Sequence, residues 1–158
     1  MIKARSRAPD FVLQNDQRQD TSLSALLLDG PLILYFYPAD FTPGCTKEAC
    51  AIRDIHKDLL AAGLQVVGVS PQDPESHAKF REHHNLPFTL LSDLDKVAIK
   101  AYDVDGPLGF GVRRATFLID QDQQIHDAVL ADIQISRHTE FIEKAIILRE
   151  TAEKTSHP

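Results

Sequence analysis

Residues 32–50 read Leu32-Ile-Leu-Tyr-Phe-Tyr-Pro-Ala-Asp-Phe-Thr-Pro-Gly-Cys-Thr-Lys-Glu-Ala-Cys50, and they hold a complete strand-to-helix transition. Leu32–Tyr37 is continuously apolar and rich in strand formers, the pattern of a central strand buried on both faces. Pro38 ends it. Thr42 stands where a helix N-cap is expected and Pro43 where the first helical residue is expected, since proline's fixed φ and missing N–H are harmless there. The transition therefore places Cys45 in the first turn of a helix. Free backbone N–H groups and the positive end of the helix dipole favour an anionic sulfur at that point. The thiolate is the reactive form of cysteine. Crossovers from sheet to helix are also where open α/β sheets place their ligands.

Outward from this stretch, strands and helices alternate. Phe11–Leu13 reads as a short strand, Gln14–Asp20 as a polar turn, and Thr21-Ser-Leu-Ser24 as the start of a short helix stopped by Asp29-Gly30-Pro31. A long helix is expected from about Pro43 to Ala62, because Ala51, Ile52, Ile55, Leu59 and Leu60 recur at helical spacing before Gly63. Leu64–Val69 is a second buried strand, and Pro74–His84 a helix capped by Asp73. Thr89–Leu91 then makes a strand and Asp95–Tyr102 a helix. Thr116–Ile119 and Ile125–Leu130 make a hairpin, and Ser136–Glu153 closes the chain as a helix. Such an order predicts an α/β protein with a central mixed sheet flanked by helices on both faces. One domain over residues 1–154 is expected, with 155–158 as a flexible tail.

The 158 residues carry a net charge of −6, which argues against a nucleic-acid backbone or an anionic membrane as partner. The longest apolar runs are far shorter than the ~20 residues of a spanning helix. The basic N-terminus has no apolar stretch behind it, so it does not read as a secretory signal. A cytoplasmic location is the expectation. There the two cysteines, Cys45 and Cys50, would not persist as a structural disulfide, and chemistry is the better reading.

Their spacing is selective. Five residues along an unbroken helix separate Cα atoms by roughly 8–9 Å, whereas a disulfide needs ~4.4–6.8 Å. The two sulfurs can bond only if the first turns of the helix unwind, and Gly44 lowers the cost of that by ~1 kcal/mol relative to alanine. A two-residue spacing typical of thioredoxin-like exchangers is absent. Zinc would want about four ligands, and His56, the nearest addition, lies ~16 Å along the helix from Cys45. No metal site is expected.

The spacing Pro38-x-x-x-Thr42-x-x-Cys45 resembles the active-site signature of peroxiredoxins, and Thr-Pro-Gly-Cys-Thr with a second cysteine five residues on resembles the bacterioferritin-comigratory, or PrxQ, branch. Ala8-Pro-Asp-Phe-Val-Leu13, Leu91-Ser-Asp93 and Arg114-Ala-Thr-Phe-Leu-Ile-Asp120 are similar to further family segments, in the same order. The resemblance implies a thioredoxin-like fold and a thiol peroxidase without cofactor. Cys45 would attack hydrogen peroxide or an alkyl hydroperoxide and become a sulfenic acid. Cys50 would resolve it as an intramolecular disulfide, for a thioredoxin- or glutaredoxin-type protein to reduce. Thr42 would hydrogen-bond the peroxide and thiolate, and Pro38 would shield the sulfur. Arg114 would supply positive charge, with Glu48 orienting it. Arg113 is adjacent, but side chains alternate along a strand, so only one of the two can face Cys45. The resemblance also implies a monomer. His77, His83 and His84 read as a solvated helix face, and Gly106–Gly111 as a loop lacking phosphate-loop spacing.

Overall fold

A computed structural model describes residues 1–156. Among them the chain forms β1 (Val12–Asn15), β2 (Asp20–Ser22), α1 (Leu23–Leu27), β3 (Leu32–Phe36) and α2 (Pro43–Asp54). There follow α3 (His56–Ala61), β4 (Gln65–Ser70), α4 (Pro74–His84), β5 (Thr89–Ser92) and α5 (Val97–Ala101). A 3-10 turn at Pro107–Gly109, β6 (Ala115–Ile119), β7 (Ile125–Leu130) and α6 (Ser136–Ser156) complete the order. The strands form one mixed sheet in the order β2-β1-β5-β4-β3-β6-β7. β3, β4 and β5 run parallel, and the remaining pairings are antiparallel. This is the mixed sheet flanked by helices that the alternation of elements predicts, in the thioredoxin-like fold that the resemblance implies.

β3 lies between β4 and β6, and every residue in it is buried. Because side chains alternate across a strand, Leu32, Leu34 and Phe36 enter one core while Ile33, Tyr35 and Tyr37 enter the other. The first core lies under α1 and α5, and the second under α2, α3, α4 and α6. Each fully buried large apolar side chain contributes roughly 1.5–3 kcal/mol, so this strand fixes the register of both layers. Cys45 belongs to the second core.

Several boundaries differ from expectation. The long helix is two: Ile55 adopts φ −107 and ψ 7, breaking the hydrogen-bond ladder between α2 and α3. The apolar spacing continues across the break, so periodicity alone cannot reveal it. Gly63, with φ +75, follows α3 and supplies the left-handed residue that ends it. β2 occupies the end of the expected turn, since an antiparallel pairing with β1 satisfies its backbone. α6 continues to Ser156 rather than ending at Glu153; residues 157–158 of the expected tail lie outside the described residues. Among the described residues no helix is long and apolar enough to cross a membrane.

Candidate active site

The loop between β3 and α2 delivers its residues in a fixed order. Tyr37 N–H donates to the Val69 carbonyl at 3.1 Å, so the chain stays tied to β4 for one residue beyond β3. Phe41 then takes a left-handed conformation, φ +65, which turns the backbone into α2. For a non-glycine residue this costs of order 1–3 kcal/mol. Its ring packs edge-on against Phe80 of α4, with centroids 5.1 Å apart. Thr42 occupies the N-cap position with extended backbone (φ −74, ψ 149), but its side chain does not cap the helix. The hydroxyl donates instead to the Ala39 carbonyl at 3.0 Å, closing the loop on itself. Pro43 is the first helical residue, and Cys45 lies in the first turn, as the turn chemistry predicts.

Cys45 is 2% exposed and Cys50 partly exposed, and both are free thiols. α2 is continuous between them, so the helical separation that prevents a disulfide applies to this conformation.

Arg114 reaches Cys45 from the sheet. Its Nη2 donates to Cys45 Sγ at 3.4 Å, and its Nη1 to Glu48 Oε1 at 2.7 Å. Alternation explains the choice between the two arginines. Arg114 precedes β6 by one residue and shares a face with Thr116 and Leu118, the face covered by α2 and α6. Arg113 points to the other side, where it pairs with Asp132 at 2.8 Å in a partly exposed bridge. Asp132 also accepts the Arg114 backbone N–H at 3.0 Å, so one carboxylate steadies the backbone at both arginines. Gly44 makes the approach possible: a Cβ there would stand 3.1 Å from Arg114 Nη2 and 3.0 Å from Ile135 Cδ1.

Glu48 is completely buried. Burial raises its pKa to about 7, although the Arg114 guanidinium beside it pulls the other way. Its second oxygen, Oε2, has no hydrogen-bond partner and lies 3.7 Å from His138 Nδ1. His138 is buried as well, with Nε2 2.8 Å from the Ala131 carbonyl and Nδ1 2.8 Å from Thr116 Oγ1. Burial lowers its pKa, so a neutral ring donates from Nε2 and accepts from the threonine hydroxyl. Burial also opposes the charge on Arg114, but Glu48 and Cys45 more than offset it and hold the guanidinium firmly protonated. The result is a buried row, Cys45–Arg114–Glu48, backed by a neutral His138.

Pro38 and Arg114 also line a shallow pocket of about 430 Å³ with Pro107 and Phe110. Arg114, whose guanidinium touches the sulfur, is thus also a residue of this pocket's wall. Within that geometry the guanidinium and the free N–H groups of the first turn present positive charge to the sulfur. The same groups can steady an oxyanion leaving an attacked bond.

Four of the residues singled out from sequence, Cys45, Thr42, Arg114 and Glu48, thus gather at the start of α2, with Pro38 on the pocket wall and Cys50 one and a half turns along the helix. His77 does not follow expectation. It is fully buried, because α4 turns its Pro74-His77-Phe80 stripe toward the sheet. His138, Thr116 and Asp132 were not singled out at all. The burial of His77 and of His138 has a signal that could have revealed it, and Glu48 carries the same signal. Each falls on the apolar stripe of its helix: Cys45-Glu48-Ala49-Ile52, Pro74-His77-Phe80 and His138-Ile142-Ala145.

Comparison with known proteins places this arrangement in a family. The model of the AhpC/TSA family matches residues 4–128. The peroxiredoxin Bcp of Bacillus subtilis is 41% identical over 130 residues, covering 78% of this chain and 82% of that protein. The crystal structure of the peroxidoxin BcpB from Mycobacterium tuberculosis superposes with a TM-score of 0.87 at 34% identity, covering 94% of this chain and 98% of that one. The bacterioferritin comigratory protein of Xanthomonas campestris, studied for its alkyl peroxide reduction activity, superposes at 0.80 with 28% identity, covering 87% and 90%. The fold, the cysteine at the opening of α2 and these likenesses agree: the chain belongs to the AhpC/TSA family and, within it, to the Bcp or peroxiredoxin Q branch of the peroxiredoxins, which are thiol peroxidases.

Proposed function

We propose that Cys45 is the peroxidatic cysteine of this enzyme and Cys50 its resolving partner, acting on hydrogen peroxide and organic hydroperoxides. The observation that carries the reading is the 3.4 Å contact between Arg114 Nη2 and Cys45 Sγ, held by Glu48 at 2.7 Å. The Cys45 thiolate attacks the terminal peroxide oxygen. The O–O bond breaks, an S–O bond forms, and the departing hydroxide or alkoxide takes up a proton as water or alcohol. Arg114 steadies the negative charge as it moves from sulfur to the leaving oxygen. The Thr42 hydroxyl donates its hydrogen bond to the Ala39 carbonyl, so in this conformation its lone pairs are suited to accept the peroxide O–H. Pro38 screens the sulfur from water.

Cys45 is then a sulfenic acid. The Cys50 thiol displaces its hydroxyl as water, forming the disulfide after the first turn of α2 opens. A dithiol protein of thioredoxin or glutaredoxin type returns both sulfurs to thiols and is itself oxidised. The organic-peroxide assignment is supported by the activity studied in the Xanthomonas campestris relative. The chain is read as one domain acting as a monomer in the cytoplasm.

Counting free thiols around one equivalent of hydrogen peroxide tests this directly: two should fall to none. Cys45→Ser should consume no peroxide, and Cys50→Ser should react once and stop at a trappable sulfenic acid. Undiminished turnover with thioredoxin in Cys50→Ser would remove the resolving role, and activity in Cys45→Ser would remove the whole assignment.

A further inference from the structure

A second buried polar cluster flanks the loop that leads into α2, and nothing in the chemistry above uses it. Asp40, two-thirds of the way along that loop, accepts the Tyr37 hydroxyl at Oδ1, 2.6 Å away. Its Oδ2 accepts the Ser76 hydroxyl at 2.8 Å and lies 2.7 Å from His77 Nδ1. The other ring nitrogen, Nε2, lies 3.0 Å from the Leu91 carbonyl oxygen of β5. Asp40 is 6% exposed and His77 not at all.

A carbonyl oxygen only accepts, so the ring donates from Nε2 to Leu91. Asp40 meets three side chains, the Tyr37 and Ser76 hydroxyls and His77 Nδ1, so the polar atoms of the pair are all partnered. The remaining acid nearby, Asp73, is occupied in capping α4 through Ser76 N–H at 2.8 Å.

The pair sits at a mechanically sensitive point. Asp40 directly precedes Phe41, whose left-handed backbone would relax if its surroundings let go. α4 grips this turn twice, through Ser76 and His77 on Asp40 and through Phe80 against the Phe41 ring. Cys45 follows only four residues later. Loss of the grip lets the turn relax, and the sulfur leaves its 3.4 Å contact with Arg114.

We propose that His77 is a positioning residue for the peroxide reaction: fully buried, it bridges Asp40, and with it the turn that presents Thr42 and Cys45, to the Leu91 carbonyl of β5. The inference rests on Cys45 being the peroxidatic residue, and the two readings fail separately.

The test combines spectroscopy on the unmodified protein with single-turnover kinetics. Nitrogen-15 NMR of the reduced wild type should show a proton on His77 Nε2 that is protected from solvent exchange by its bond to Leu91. In a Cys50→Ser background, His77→Asn keeps one donor but loses the reach to Leu91. It should slow sulfenic acid formation threefold or more while circular dichroism shows the wild-type fold. An Nε2 without a proton, or one that exchanges freely, overturns the proposal whatever the kinetics, as does a folded His77→Asn variant whose rate stays within threefold. If His77→Asn does not fold, the nitrogen-15 result alone decides. Should the wild type itself ignore peroxide, the Cys45 assignment fails, while the bond from the ring to Leu91 is still measured.

Discussion

Gly44→Ala separates the two steps of the cycle, because it acts on each through a different contact. Gly44 has ordinary helical backbone and no positive φ, so alanine fits the conformation and raises helix stability by about 0.5–1 kcal/mol. Disulfide formation requires the first turn of α2 to open, and the substitution makes that opening rarer by a factor of about 2–5. The added Cβ would also lie 3.0 Å from Ile135 Cδ1 and 3.1 Å from Arg114 Nη2. The isoleucine methyl is the free end of a flexible side chain and can swing away. The guanidinium is held by Glu48 at 2.7 Å, so it yields only a few tenths of an ångström. Peroxide attack should therefore slow less than disulfide formation. The chain contains no tryptophan, so rapid quenching with a thiol-alkylating reagent and mass spectrometry suits both steps. Sulfenic acid trapping in a Cys50→Ser background isolates the first. Disulfide formation at the wild-type rate or faster, in a correctly folded Gly44→Ala protein, would refute the idea that helix opening limits the second step.

Three further outcomes are expected. Arg114→Gln should slow peroxide attack by about 10²–10³-fold, the usual loss when one donor to a developing anion is removed; Arg113→Gln, whose charge sits on an exposed bridge to Asp132, should change it by less than about threefold. Equal losses in stopped reactions with hydrogen peroxide would contradict the assignment of faces. Glu48, with its folded pKa raised from 4.5 to about 7 by burial, holds its proton longer folded than unfolded. Stability should therefore fall as pH rises from about 4.5 to 7, then level off, at a total cost of about 3 kcal/mol. Glu48→Gln should flatten that part of the urea-denaturation profile, and an unaltered slope would place the titration elsewhere. Finally, Thr42→Val removes the bond to Ala39 and should lower kcat/KM for peroxide by about tenfold or more while leaving the Tm within a few degrees; unchanged kcat/KM would count against any contact with substrate.

What was legible in the sequence had a local cause. β3 declares itself by an unbroken apolar run, and the start of α2 by Thr42 and Pro43, because those residues act on their own backbone. The choice of Arg114 over Arg113 followed from the resemblance, and strand alternation agrees with it. What was illegible depends on partners outside the local segment. His77 and His138 look like ordinary surface helix residues until Asp40 and the Ala131 carbonyl are brought to them from 37 and 7 residues away. Glu48 followed from the resemblance alone, since Arg114 lies 66 residues away. A polar residue in the middle of an apolar stripe is the available warning, and each of the three stands in one. The interruption at Ile55 had no such warning, since neither glycine nor proline marks it. Thr42 shows the limit from the other side: the residue type predicted the N-cap position correctly, but its hydroxyl found the Ala39 carbonyl instead of the helix N–H groups.

That interruption has a consequence for how far a disturbance can travel. A helix running without pause from Pro43 to Ala61 would couple any loosening at its head to Leu59, which lies deep in the core below α6. With the hydrogen-bond ladder already cut at Ile55, fraying spends itself within twelve residues, much as a firebreak contains a blaze. The second half stays clamped beneath α6, where Arg149 Nε donates to the Ala62 carbonyl at 3.2 Å. The molecule can thus melt one short piece of itself again and again without endangering the rest.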